Sequence, residues 1–279
     1  MTEPRNRRDG VSGDDPLDRL RPIIAAMSAV AVAVSGGVDS LTLAIVAHAV
    51  LGGGARMYHA TSPAVPEEAT RRTRSIAVEH GWALDVFDAG EFSDPQYRAN
   101  PVNRCFFCKT NLYGTIARRT DVQVVSGTNL DDLGEYRPGL DAARAHSVRH
   151  PFIEAGIDKA TVRRIAAGLG LGEVASLPAS PCLSSRVETG FAINPSILVL
   201  IERAETLLRG ALSPSTVRCR VRAQAVVVEL DADTLQALDA ATEAGLRAHI
   251  LDLADRSGLR LPVAFAPYRN GSAFLRPVA

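Results

Sequence analysis

The chain has 279 residues, enough for one large domain or two ordinary ones with full cores. Apolar residues make up 46%, and 31 Lys plus Arg balance 31 Asp plus Glu, so no global field draws the protein toward nucleic acid or a membrane surface. No apolar run approaches the length of a membrane span, and four cysteines are too few for a disulfide framework; the composition reads as cytoplasmic.

Residues 1–14 are polar and charged, without the apolar stretch of a signal peptide, and predict a disordered tail. Leu17, Leu20, Ile23 and Ile24 then recur at helical spacing between Pro16 and Met27. Ala29 to Val34 is an unbroken apolar run with Val30, Val32 and Val34, a fully buried parallel strand. It runs into Ser35-Gly36-Gly37-Val38-Asp39-Ser40, and a helix follows from Leu41 to Val50. Further strands are predicted at 56–61, 83–88 and 121–126, with a helix over 66–80 and another over 158–169 behind an Asp158 cap. Strands alternating with helices argue a parallel, doubly wound α/β sheet, in which ligands bind at the carboxyl ends of the strands.

Beyond Gly170 the texture changes. Leu177-Pro178-Ala179-Ser180-Pro181 is a turn-rich linker, and Asn194-Pro195 caps an amphipathic helix carrying Ile197, Leu200, Ile201, Ala204 and Leu208. Strands at 217–221 and 225–230, a helix through Leu235 and Leu238, a helix over 244–253 and a strand over 259–265 make a smaller α+β domain. The divisions expected are 1–14 for the tail, 15–187 for the nucleotide domain and 188–279 for a substrate-binding or oligomerisation domain.

Four places carry chemistry beyond the first loop. In that loop, Gly36 and Gly37 let backbone approach a ligand, and the N-terminus of the following helix attracts an anion. Ser35 and Ser40 add hydroxyls, so the loop suits a phosphate; the spacing and lysine of a Walker loop are absent. Gly127-Thr128-Asn129-Leu130-Asp131-Asp132 follows the fourth strand, where Asp131 or Asp132 can offer a magnesium ion a hard oxygen, though an Asx-rich turn reads the same way. Arg137, before Pro138-Gly139, can clamp a carboxylate or phosphate, or be a plain surface residue. Cys105-Phe106-Phe107-Cys108 is half of a zinc site, part of an iron–sulfur site, a redox pair, or two helix cysteines packed beside phenylalanines. Cys182, among small residues and near Arg186, fits an exposed thiol and can complete a three-cysteine set. Cys219, between Arg218 and Arg220 on a predicted strand, reads as incidental and core-facing.

The stretch 35–40 resembles the PP-loop of ATP pyrophosphatases, and the whole series resembles one PP-loop family, the ATP-dependent sacrificial sulfur transferases (LarE). The matching motifs are Ser-Gly-Gly-Val-Asp-Ser at 35–40, Asn-Arg-Cys-Phe-Phe-Cys-Lys at 103–109, Gly-Thr-Asn-Leu-Asp-Asp-Leu-Gly at 127–134, Tyr-Arg-Pro-Gly-Leu at 136–140 and Pro-Cys-Leu-Ser-Ser-Arg at 181–186. The resemblance implies a PP-loop α/β fold and a mononucleotide substrate, pyridinium-3,5-biscarboxylate mononucleotide. Its carboxylates are adenylated with ATP and Mg²⁺ and become thiocarboxylates for a nickel-pincer nucleotide cofactor. It further implies nucleotide binding by Ser35, Gly36, Gly37, Asp39, Ser40, Gly127, Thr128, Asn129 and Arg137, with Cys182 and Asp39 catalytic. Arg218 and Arg220 would hold the substrate phosphate, and Glu205 and Glu229 would join Asp131 in metal binding. The sulfur would come from Cys182 itself or from a [4Fe–4S] cluster on Cys105, Cys108 and Cys182. Two departures stand where substrate should touch: Arg222-Ala223-Gln224-Ala225 lacks an expected glycine, and Glu188-Thr189-Gly190 replaces Pro-Tyr-Gly. No nucleic-acid or membrane partner is expected, and the family's homo-oligomers, hexamers among them, imply more than a monomer. The rivals are a tRNA thiolase and a nucleotide-sensing PP-loop module without turnover.

Overall fold

The computed structural model describes residues 15–134, 137–178 and 181–274. The expected tail at 1–14, Tyr136, and Ala179-Ser180 of the linker lie outside them. The first part runs α1 (Pro16–Ala25), β1 (Val30–Ala33), α2 (Val38–Leu51), β2 (Ala55–Ala60), α3 (Glu67–Glu79), β3 (Ala83–Phe87), α4 (Pro95–Arg98), α5 (Arg104–Ala117) and β4 (Gln123–Ser126). It continues with α6 (Pro138–Ala145), α7 (Pro151–Glu154), α8 (Lys159–Gly168) and α9 (Glu173–Ser176).

The four strands are parallel in the order β3-β2-β1-β4. The Val-Ala-Val-Ala alternation of β1 has a packing reason. Val30 and Val32 join a core with Leu20, Leu41, Ile45 and Phe152, whereas Ala31 and Ala33 leave room on the other face for Tyr58, Tyr113 and Ile116. Helices thus cover both faces, as the doubly wound reading requires. α2 is apolar all round and buried from Leu41 to Ala47 beneath α1 and α8. Ala33 pairs with both Tyr58 and Ser126, so the chains leaving β1 and β4 emerge side by side.

The strands match the sequence reading to within a few residues, whereas α5 is an element that the sequence pattern does not predict. Its N-cap, Asn103, makes no side-chain cap bond, and Thr110, Asn111, Gly114 and Thr115 weaken its helical signature. Packing of Tyr113 and Ile116 against the sheet supplies what propensity lacks.

The second part holds α10 (Pro195–Leu212), β5 (Val217–Val221), β6 (Val226–Leu230), α11 (Ala232–Ala237), α12 (Ala240–Arg256) and β7 (Val263–Pro267). Its sheet pairs β5 with β6 antiparallel and β6 with β7 parallel, the smaller α+β unit expected. Its core takes Leu183 and Val187, and also Ala64 and Tyr97 from the first part. Asn100, fully buried, donates from Nδ2 to the carbonyls of Glu188 (2.8 Å) and Phe191 (2.9 Å), tying the two parts together. Among the described residues no helix is long and apolar enough to cross a membrane.

Candidate active site

The loop after β1 is built by its glycines. Gly36 has φ +80°, and a Cβ there would lie 2.6 Å from the Ala69 carbonyl oxygen of α3. Gly37 is the N-cap of α2 and brings no side-chain cap, so the first-turn amides face the loop's mouth without a side-chain acceptor. Ser35 is exposed, but Ser40 is buried and holds the loop shut: its Oγ accepts from the Ser35 amide (3.0 Å) and donates to the Gly37 carbonyl (3.1 Å). Arg72 of α3 donates to the Gly36 carbonyl at 2.8 Å. His59, fully buried at the end of β2, bonds the Val34 carbonyl through Nδ1 (2.8 Å) and Thr70 Oγ1 through Nε2 (2.9 Å). The carbonyl makes Nδ1 the protonated nitrogen, and burial pushes the imidazole pKa down.

The loop after β4 rests directly on this one. A Cβ on Gly127 would sit 2.8 Å from both the Asp39 carbonyl carbon and the Ser40 amide nitrogen. Asn129, buried, donates from Nδ2 to Asp39 Oδ1 at 3.3 Å. The other Asp39 oxygen pairs with Lys159 Nζ, from the first residue of α8. Asp131 accepts the Lys159 amide (3.1 Å) and so serves as a helix cap; Asp132 accepts the Asn129 amide (3.0 Å) and pairs with Arg137 at 2.9 Å. Of the acidic residues here Asp39 is the one in the first turn of α2, at the end of the loop after β1. Magnesium is usually held by one or two carboxylates together with substrate phosphates, and the half-open Asp39 carboxylate suits that role. Ser126 Oγ bonds Thr128 Oγ1 (3.0 Å) and His150 Nδ1 (2.9 Å), and burial lowers the His150 pKa.

The three cysteines of the sequence reading lie close enough for Cys182 to act on the other two. Cys105 and Cys108 lie on the first turns of α5, and Cys182 precedes the short turn Leu183–Arg186. Burial, then the neighbouring Cys182, raise the Cys105 thiol and push Cys108 up to about 12. Burial, then Cys182 and Cys108, likewise raise the Tyr97 phenol, whose hydroxyl bonds Ser184 Oγ at 2.7 Å. Lys109 Nζ lies 5.6 Å from the Tyr113 ring centre; Tyr113, and after it the three thiols, raise its pKa against the opposing effect of burial. All four cysteines are free. Among the described residues no three or more His, Cys, Asp or Glu side chains are arranged to hold a metal ion. The thiols are therefore neighbours and not a preformed ligand set.

In the second part the expected metal and phosphate residues are engaged with one another. Glu205, 1% exposed, accepts Arg186 (2.9 Å), Arg209 (2.9 Å) and the Cys219 amide (3.1 Å). Glu229 pairs with Arg220 (3.1 Å) and Arg222 (2.8 Å) and accepts the Ser272 hydroxyl. Both carboxylates are thus engaged by guanidinium groups, and among the described residues neither joins other acidic, His or Cys side chains in a metal-holding group. Arg220, 4% exposed, also donates to the Ser185 carbonyl (3.1 Å) and the Arg269 carbonyl (3.3 Å). Arg218 is half-buried, 6.0 Å from the Tyr268 ring centre, and burial lowers its pKa. Arg186 completes the arrangement: Nη1 donates to the carbonyls of Pro181 (2.6 Å) and Cys182 (3.2 Å), so the second part grips the cysteine turn. Cys219 is fully buried in the core, as expected.

Nothing in the sequence singles out Lys159, Arg72, His59 or Tyr97. Each lies in an ordinary helix or strand, and its contact depends on a partner 11 to 120 positions away. His146 and His150 have the spacing of a metal pair, yet His146 lies against Tyr113 (6.4 Å between ring centres) while His150 bonds Ser126.

No family model matches the chain. It is 37% identical over 227 residues to an uncharacterized protein of Synechocystis sp., covering 80% of this chain and 84% of that one. An uncharacterized protein of Methanocaldococcus jannaschii is 28% identical over 206 residues, 72% of this chain and 77% of its own. The pyridinium-3,5-bisthiocarboxylic acid mononucleotide synthase of Lactiplantibacillus plantarum is 30% identical over 206 residues, 72% of this chain and 74% of that protein.

Proposed function

We propose that this chain, which belongs to the family of the pyridinium-3,5-bisthiocarboxylic acid mononucleotide synthase, is an ATP-dependent sulfur transferase acting on a carboxylate of a small mononucleotide. The observation that supports the nucleotide half best is the docking of Gly127 on the uncapped first turn of α2, which joins two strand-end loops around one anion site. ATP pyrophosphate lies against the amides of residues 36–40. A substrate carboxylate oxygen bonds to the α phosphorus, the bond to the bridging oxygen breaks, and pyrophosphate leaves with the electron pair. Mg²⁺, held by Asp39 and the phosphates, would offset the charge that develops there. Arg137 and Arg72 would shape the rim, and Arg218 would meet the substrate's own phosphate.

The acyl-adenylate is then attacked by sulfur. In the simpler course the Cys182 thiolate bonds to the acyl carbon and AMP leaves. Loss of the Cys182 Cα proton next breaks its Cβ–S bond, giving a thiocarboxylate and a dehydroalanine. A second course draws on the nearness of Cys105, Cys108 and Cys182, although among the described residues they are not arranged as a ligand set. A [4Fe–4S] cluster on those three residues would supply a labile sulfide and repeated turnover. Pyrophosphate release that depends on the biscarboxylate mononucleotide tests the reaction; ATP binding without release for any acid would overturn it. Intact mass after turnover, beside iron and sulfide content of an anaerobic preparation, separates the two sulfur sources. Assembly as a homo-oligomer belongs to the same reading and is measured by light scattering.

A further inference from the structure

We infer that Tyr268 reads the positively charged ring of a pyridinium mononucleotide, beside an Arg218 that takes its phosphate; the inference rests on the mononucleotide reading above. The placement follows from strand alternation. Val217, Cys219 and Val221 of β5, with Val263 and Phe265 of β7, join the core of the second part. Arg218 and Arg220 therefore share the opposite face of the sheet with Ala264 and Ala266. Glu229 pairs across with both Arg218 and Ala266, which sets these three in one row. Tyr268 lies two positions beyond Ala266, and its amide continues the strand by donating to the Leu230 carbonyl at 2.7 Å. The Arg218 guanidinium carbon lies 6.0 Å from the Tyr268 ring centre, within the range of a cation–π contact.

One guanidinium ties this ring to the reactive sulfur. Arg220 donates to the Ser185 carbonyl of the cysteine turn at 3.1 Å and to the Arg269 carbonyl at 3.3 Å, so that turn and the residue after Tyr268 are neighbours. Glu229 fixes the segment from a second side, accepting the Arg269 amide at 3.5 Å and the Ser272 hydroxyl. The backbone of Tyr268 is thus held, yet its ring is half-exposed and belongs to none of the three apolar clusters among the described residues. Core packing does not explain the ring, and an exposed cation–π pair contributes little to the fold. A pyridinium mononucleotide gives the pair a use. It brings a phosphate, which a guanidinium binds through charge-assisted hydrogen bonds, and a quaternary ring nitrogen, which the negative face of a phenol ring attracts. As Arg218 turns to the phosphate, the pyridinium takes the place of the guanidinium over Tyr268. The two opposite charges of the ligand are then read together, and a neutral ring of the same outline satisfies only one of them.

Equilibrium binding to the full-length protein of nicotinic acid mononucleotide, its 1,4-dihydropyridine form and ribose 5-phosphate compares a cationic ring, a neutral ring and no ring. The wild type is expected to bind the pyridinium form about fivefold more tightly than the dihydropyridine. Tyr268→Leu should remove that preference while changing ribose 5-phosphate affinity by no more than about twofold, and Tyr268→Phe should keep it. Arg218→Gln should weaken all three ligands by about tenfold or more, through loss of bonds to the phosphate. Equal wild-type affinity for the two ring forms, or a preference that survives Tyr268→Leu, overturns the role of Tyr268. Unchanged ribose 5-phosphate binding in Arg218→Gln overturns the exchange between guanidinium and pyridinium. A wild type that binds none of the three ligands overturns the mononucleotide reading itself. The ratio between the two ring forms is measured on one protein sample, so it decides even where Tyr268→Leu lowers the thermal midpoint.

Discussion

At the scale of single residues, two glycines of similar appearance have different tasks. Gly127 is required because backbone atoms of Asp39 and Ser40 lie 2.8 Å from where a Cβ would be. Gly127→Ala is expected to cost about 1–3 kcal/mol by overpacking and to weaken ATP-analogue binding by pushing the two loops apart. Gly37 has an ordinary φ of −88°, and its nearest neighbour to a Cβ is Ser35 Oγ at 3.7 Å. Gly37→Ala should stay within about 0.5 kcal/mol of wild type in a urea titration. His59 gives a pH prediction. Burial holds its folded pKa below the ordinary value of about 6.5. The unfolded chain therefore takes up the proton first, so stability is full above about pH 6.5 and falls as the pH drops through that value toward the folded pKa. His150 is shifted the same way and adds to the slope. Thermal midpoints between pH 7.5 and 5.5 should decline, and less steeply in His59→Gln; an equal slope would assign the effect to other groups.

At the scale of elements, the cysteine turn is held by charge. Arg186 and Glu205 are 2% and 1% exposed, and the guanidinium also carries the carbonyls of Pro181 and Cys182. Removing one partner of such a pair strands the other charge away from water. Glu205→Ala should cost about 3–5 kcal/mol in denaturant titration and speed alkylation of Cys182, because the turn loses its anchor. Arg222, 32% exposed, pairs with Glu229 from the edge of the site, where water can replace it. Arg222→Ala should cost no more than about 1 kcal/mol. Unchanged Cys182 reactivity in a folded Glu205→Ala protein would mean that Arg186 does not position the turn.

At the scale of the whole molecule, the two parts are joined by buried polar contacts as well as by apolar packing. Asn100 has φ +53° and donates to carbonyls of residues 188 and 191, while its own carbonyl accepts the Gly190 amide at 2.8 Å. Arg104 beside it bonds Asn100 Oδ1. Asn100→Ala leaves these groups unmet and puts alanine at φ +53°, which it tolerates less well than asparagine, so a loss of about 1–3 kcal/mol is expected, with faster proteolysis near 188–193. What the sequence by itself determined is the backbone plan. Apolar runs of period two, helical spacing and the Gly36-Gly37 turn report local geometry, and they located β1 to β4, the glycine turn after β1 and the α+β unit that follows. Cys105, Cys108 and Cys182 were legible because cysteines are few and their spacing is distinctive. Only the tertiary structure decided how the charges are paired. Asp131 became a helix cap, Asp39 met Lys159, and Glu205 and Glu229 met arginines, through bonds spanning 28, 120, 19 and 9 positions. Periodicity fixes which face of an element a side chain leaves from, but the partner across that face is set by the register of strands and the packing of helices, and neither is written in local spacing.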